Sequence, residues 1–110
     1  MIKKLLLLLL LSTYLFSSEG NSQKGLTYYR FVVLPITDIK GTTFTKKHTV
    51  KEWKELFLNN AEGFKEKYSS INEEFGTFLN GKKFKKIAPD LEAFFIAYAS
   101  DSSATPECGE

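Results

Sequence analysis

Thr27-Tyr28-Tyr29-Arg30-Phe31-Val32-Val33-Leu34 is the stretch on which the fold turns. Its residues are mostly β-branched or aromatic, the types that suit a pleated, half-buried surface. Read as a strand, it places Tyr29, Phe31 and Val33 on one face and Tyr28, Arg30, Val32 and Leu34 on the other. Pro35 comes next, lacks a backbone donor and should end regular pairing. Lys40-Gly41 offers a turn, and Thr42-Thr43-Phe44-Thr45 a second, weaker strand. The expectation is a short N-terminal β-hairpin. An isolated hairpin is marginal in water, so this one must lie against helices further along the chain.

Beyond residue 48 the chain reads as helical. Thr49 is a good N-cap, and Glu52 three residues later completes a reciprocal capping box. His48, just before the cap, and Trp53, at the fourth helical position, are spaced for a hydrophobic staple. Val50, Trp53, Phe57 and Ala61 recur at helical spacing. Asn59, Asn60 and Gly63 weaken the pattern, so this helix either ends near Ala61 or bends and runs on to Tyr68. Ser70 and Glu73 repeat the capping-box spacing ahead of Phe75, Phe78 and Leu79, and Asn80-Gly81 supplies a left-handed stop. Lys82 to Ile87 reads as a single turn. Pro89 suits the first position of a third helix, with Asp90 and Glu92 beside its positive end.

The expected fold class is therefore α+β, mainly helical: a short N-terminal β-hairpin plus about three short helices around an aromatic core. That core comprises Phe31, Val33, Val50, Trp53, Phe57, Phe64, Tyr68, Ile71, Phe75, Phe78, Leu91, Phe94, Phe95 and Tyr98. Side chains this large let a short chain reach stability without disulfides.

The chain opens with Lys3 and Lys4, an apolar run from Leu5 to Leu11 extended by Tyr14, Leu15 and Phe16, and then the small Ser17. Basic, apolar and small in that order spell a secretory signal peptide, cut near Ser17/Ser18, with an uncleaved N-terminal anchor as the alternative. The apolar run is shorter than the roughly 20 residues of a membrane span, so no stable span is expected after cleavage. The expected organisation is a signal peptide (1–17), a flexible leader (18–26), a single small globular domain (27–100) and an irregular tail (101–110). The signal takes with it two of the 15 basic residues and none of the 13 acidic ones, which leaves the mature chain with 13 of each. That balance implies no nucleic-acid partner. None of the asparagines stands in an Asn-x-Ser/Thr sequon, which favours a bacterial periplasm over a eukaryotic secretory route.

Few residues carry recognisable chemistry. His48 is the only histidine and so the one candidate base or imidazole ligand, although its place before the helix cap already supplies a structural role. A zinc or copper site needs three or four ligands, and no His or Cys cluster is present in the sequence. The run of short helices ending in an aromatic C-terminal helix loosely resembles small c-type cytochrome domains. The Cys-x-x-Cys-His attachment is missing and the only Met leaves with the signal, so no haem and no other cofactor is expected. Cys108 is a lone thiol in the tail, which suggests intermolecular disulfide pairing or a free thiol. Lys82, Lys83, Lys85 and Lys86 form a basic run suited to an anionic surface, interleaved with apolar Phe84 and Ile87. No Gly-rich phosphate loop or Gly-x-Ser-x-Gly elbow occurs. The expectation is a small exported, periplasmic, non-enzymatic accessory or binding protein with a protein partner in the cell envelope. The alternative is a metal- or redox-linked periplasmic carrier using His48 and Cys108.

Overall fold

Thr27–Leu34 is helical. The computed structural model describes residues 20–103, and no strand occurs among the described residues. In chain order the helices are α1 (Ser22–Tyr28), α2 (Leu34–Thr37), α3 (Gly41–Phe44), α4 (Val50–Leu56), α5 (Leu58–Tyr68), α6 (Glu73–Leu79) and α7 (Lys82–Ala97). A π-helical segment (Tyr29–Val33) joins α1 to α2, and 3₁₀ turns cover Thr45–Lys47 and Ser69–Ile71. The expected α+β class is thus replaced by a small, all-helical single domain.

The hairpin fails for a reason of period. Gly25, Tyr29 and Val33 are buried at intervals of four, which is one face of a helix. A strand would also have buried Phe31, which is 69% exposed. β-propensity is a weak preference for a pleated surface, and burying this helical face outweighs it. Gly25 marks where α1 crosses α7: a Cβ there would lie 2.0 Å from the Asp90 carbonyl oxygen. Ser22 to Leu26, expected in the leader, form the start of α1, capped by Asn21, whose Oδ1 accepts from the Gln23 and Lys24 N–H groups.

Pro35 does not stop this rod. Proline in a helix lacks one N–H and crowds the carbonyl four residues back. The turn just ahead of it is widened, with the Leu34 N–H bonded to the Tyr29 carbonyl five residues back. Helical structure ends at Asp38, in the left-handed region, whose N–H reaches Leu34 O at 2.8 Å. The second expected strand is α3 followed by a 3₁₀ turn. It brings Phe44 into the centre of the core and buries the Thr45 hydroxyl, which donates to Gly41 O at 2.7 Å.

The capping box at α4 forms as expected: Thr49 N–H to Glu52 Oε1 at 2.9 Å, and Glu52 N–H to Thr49 Oγ1 at 3.2 Å. That helix ends at Leu56, earlier than Ala61, and a second helix follows after a break. Asn59, Asn60 and Ala61 take left-handed dihedrals, with φ of 55°, 59° and 60°, before the chain resumes right-handed turns to Tyr68. Asparagine tolerates that region and alanine does so only at a cost. At α6 the cap is Asn72 rather than Ser70: its Oδ1 accepts from Phe75 N–H, while its Nδ2 donates to Ile36 O and ties α6 to α2. At α7 the expected break at Pro89 is absent. Phe84, Ile87, Leu91, Phe94 and Phe95 keep one apolar phase through the proline, and burying them all outweighs the roughly 3 kcal/mol an interior proline costs.

These helices close on a ring-packed core. Trp53 stacks on Phe95 with centroids 4.4 Å apart, Phe44 meets Tyr68 edge-on at 4.9 Å, and Tyr29 lies 5.3 Å from Phe94. Phe31 drops out of the expected core. Val50, Ile71, Phe78 and Tyr98 pack on its margin, while Tyr29, Phe44, Leu79, Phe84 and Ile87 belong to its interior. No helix among the described residues is long and apolar enough to cross a membrane. The expected signal peptide and Cys108 lie outside the described residues.

Candidate functional site

His48 lies in an extended link between the 3₁₀ turn and α4. Three contacts fix its ring. Nε2 is 2.6 Å from Tyr68 Oη, Nδ1 is 3.6 Å from Glu52 Oε1, and the ring meets Trp53 edge-to-face at 4.6 Å. The staple to Trp53 is therefore present, with Trp53 itself held by its Nε1–H to Thr45 O at 2.9 Å. The His48 side chain is 16% exposed. Desolvation lowers its pKa more than the Glu52 carboxylate raises it, and burial pushes the Tyr68 phenol up to about 12. Tyr68 is thus a protonated donor, the imidazole is neutral with Nε2 accepting, and the Nδ1–H faces Glu52.

Acid, imidazole and hydroxyl stand in the order of a hydrolytic relay, but the chemistry does not follow. A nucleophilic hydroxyl needs a lowered pKa or an accessible face, and Tyr68 is 8% exposed with its pKa raised. The trio works as a clasp between the end of α5 and the start of α4. The same link is tied to the C-terminal end of α7: Ser100 N–H donates to His48 O at 2.9 Å, Val50 N–H to Asp101 Oδ1 at 3.0 Å, and Lys46 Nζ to Ala99 O at 3.1 Å. A metal on Nε2 of His48 would have to displace Tyr68, and no group of three His, Cys, Asp or Glu that could hold an ion occurs among the described residues.

The basic run has a different character. Lys82, Lys83, Lys85 and Lys86 are all exposed on the first two turns of α7, while Phe84 and Ile87 between them are buried. Lys65 of α5 adds its ammonium over the Phe84 ring at 5.9 Å. The first turn carries no acidic residue, and Gly81 caps it without a side chain. Lys82 and Lys83 thus open the helix at the positive end of its dipole, where charge of that sign is unfavourable, and Lys85 and Lys86 follow directly behind.

The sequence gives no hint of one further feature. A groove of about 510 Å³ lies along the outer side of α7, lined by Gly20, Ser22, Lys54, Pro89, Glu92, Ala93, Ile96 and Ala97. A separate, smaller hollow of about 170 Å³ shares Pro89 and Glu92 with it and is otherwise walled by Phe57, Asn60, Ala61, Phe84, Lys85 and Ala88. Burial pushes the Glu92 carboxyl up, with Lys54 opposing. The groove is hidden in the sequence because Pro89 reads as a helix start. That reading puts Glu92 in a first turn, where the dipole explains an acid. In the continuous α7 it stands mid-helix, and the dipole gives no reason for its charge.

No family model, curated protein or solved structure matches the chain. Fold and sites together define a small helical single domain with an aromatic interior, a clasp at His48, a basic ridge on α7 and a groove beside Glu92.

Proposed function

We propose that this is a small exported, non-enzymatic accessory protein of the periplasm, which holds an acidic protein partner on the Lys82, Lys83, Lys85 and Lys86 ridge. The observation that carries the reading is the exposure of all four ammonium groups at a helix end already positive and uncompensated. Burial of Phe84 and Ile87 accounts for a polar face here, but not for its being made of cations alone at this end of the helix. A negative surface docked there would relieve both the mutual repulsion and the dipole. The hydrogen-bonded clasp at His48 favours the non-enzymatic side of the reading, and no observation favours a metal- or redox-linked carrier using His48 and Cys108.

The test has two arms. N-terminal sequencing of the native protein should find a mature chain starting near Ser18 in the periplasmic or secreted fraction. The mature protein should then bind poly-glutamate at low salt, more weakly as salt rises, and lose that binding when Lys82, Lys83, Lys85 and Lys86 are replaced by Glu. Binding unchanged by the charge reversal rejects the ridge. Retention on anionic vesicles without binding to poly-glutamate replaces the protein partner by a lipid surface.

A further inference from the structure

Two costly departures from regular helix border the same hollow. Near the start of α5, Asn59, Asn60 and Ala61 take left-handed dihedrals in succession, and Ala61 is buried. No glycine eases that turn, and the left-handed conformation is disfavoured at each of the three residues. On α7, Pro89 brings no N–H to the Lys85 carbonyl four residues back, so the helix goes without one of its own bonds. Asn60, Ala61, Lys85 and Pro89 all wall the hollow of about 170 Å³. Backbone strain persists only where the surroundings hold it in place, and it gathers at ligand sites.

The hollow offers charge of both signs beside carbon surface from Phe57, Phe84 and Ala88. Lys85 and Glu92 stand seven residues apart on one side of α7, about 10 Å along its axis, and Asn60 adds an amide from the α5 wall. Lys54 lies in the larger groove, outside this hollow. Its charge opposes the effect of burial on the Glu92 carboxyl without cancelling it, and the carboxyl stays raised. At roughly 30 Å³ per water the space is that of about six waters, the bulk of a small α-amino acid.

We propose that this hollow is a binding site for a small free α-amino acid, whose ammonium pairs with the Glu92 carboxylate and whose carboxylate takes Lys85 Nζ and Asn60 Nδ2. A zwitterion meets both charges at once. An amine alone leaves Lys85 unmatched, and a carboxylic acid alone brings a second negative charge toward Glu92. The site goes beyond the acidic-partner reading: of the basic ridge only Lys85 takes part, and Lys82, Lys83 and Lys86 do not line the hollow.

The test titrates L-alanine into the native full chain by calorimetry, with propionate and ethylamine, each carrying half of the zwitterion, as comparisons. Alanine should bind saturably, and either half about tenfold or more weakly. The Glu92 carboxyl, followed by carbon NMR, should titrate lower with alanine bound than without it. Glu92→Gln should weaken alanine binding about tenfold or more while binding to poly-glutamate stays. Asn60→Gly removes the amide and relieves one left-handed residue, so it should melt higher than wild type and bind alanine less tightly. Absence of saturable alanine binding overturns the proposal. Equal binding of propionate or ethylamine to the unaltered chain does so as well, and so does alanine binding that survives Glu92→Gln.

Discussion

Two aromatic stretches of this chain, Thr27–Leu34 and His48–Phe57, look equally readable and behave in opposite ways. In the second, the signals are local. Thr49 and Glu52 satisfy each other's backbone groups, and His48 reaches Trp53 five residues on. A short window holds both partners of each contact, so the sequence shows them side by side. In the first, the deciding partners are far away. Tyr29 packs on Phe44, Phe94 and Phe95, and its hydroxyl donates to Ile39 O. Gly25 rests on Asp90 and Phe94. The window offers only β-propensity, and tertiary burial overrides propensity. Caps are legible because orphan donors are satisfied nearby, whereas periodicity needs a long enough window. Gly25, Tyr29 and Val33 make a helical face only if the supposed leader is included.

The comparison breaks most sharply on core truncation. Trp53→Ala and Tyr29→Ala each remove a ring with no exposed surface, and each should cost about 3–5 kcal/mol. Chemical denaturation reads both. A Tyr29→Ala variant close to wild type would return Thr27–Leu34 to the periphery. Next comes Gly25→Ala. Its new methyl would lie 2.0 Å from the Asp90 carbonyl oxygen, so α1 and α7 must separate. Overpacking of this kind should cost about 1–3 kcal/mol, although alanine is the better helix former. A stabilised Gly25→Ala protein would show that the two helices do not cross where described.

The sites divide along the same line. The His48–Trp53 staple is readable, but Tyr68 is not, because it comes from another helix 20 residues away. The lysine ridge is readable as alternation, since exposed Lys and buried Phe84 and Ile87 keep helical spacing. The groove is not. One proline read as a start instead of an interior residue moves Glu92 from mid-helix to a first turn and hides its oddity. Likewise Ser70 and Glu73 have the spacing of a capping box, but Asn72 takes the cap because it also bonds Ile36 O on α2. Where two local signals compete, a long-range partner decides.

Caps should weigh the same in both regions. Thr49→Ala removes the acceptor for Glu52 N–H, and Asn21→Ala the acceptor for Gln23 and Lys24 N–H. Each should cost about 1 kcal/mol. A negligible Asn21 effect in thermal melts would mean that α1 is held by its packing alone. His48 adds a pH dependence on one side only. Its pKa in the folded protein lies below 6.5, so its contribution is fully present above that value and is lost as pH falls. The unfolded chain takes up the proton first, and the Nε2 that gains it can no longer accept from Tyr68. Melts between pH 7 and 5 should show a decline that flattens in His48→Gln. An equal decline in both proteins would place the titration elsewhere.

The smallest effect is the most discriminating. Phe31 stands in the middle of Thr27–Leu34 and is 69% exposed. In a hairpin it would share the inner face with Tyr29 and Val33, and Phe31→Ser would open the core at a cost of several kcal/mol. In the helix it faces solvent. Phenylalanine and serine have nearly the same intrinsic helix propensity, so the exchange leaves the backbone preference alone and isolates burial. Phe31→Ser should therefore shift stability by no more than about 0.5 kcal/mol. The urea midpoint should barely move, and the slope should stay unchanged because no buried surface is exchanged. A large loss would bring the strand face back. A slight loss would agree with the helix, since the ring lies in water in the folded and the unfolded chain alike and gives up only the small part of its surface that the fold covers.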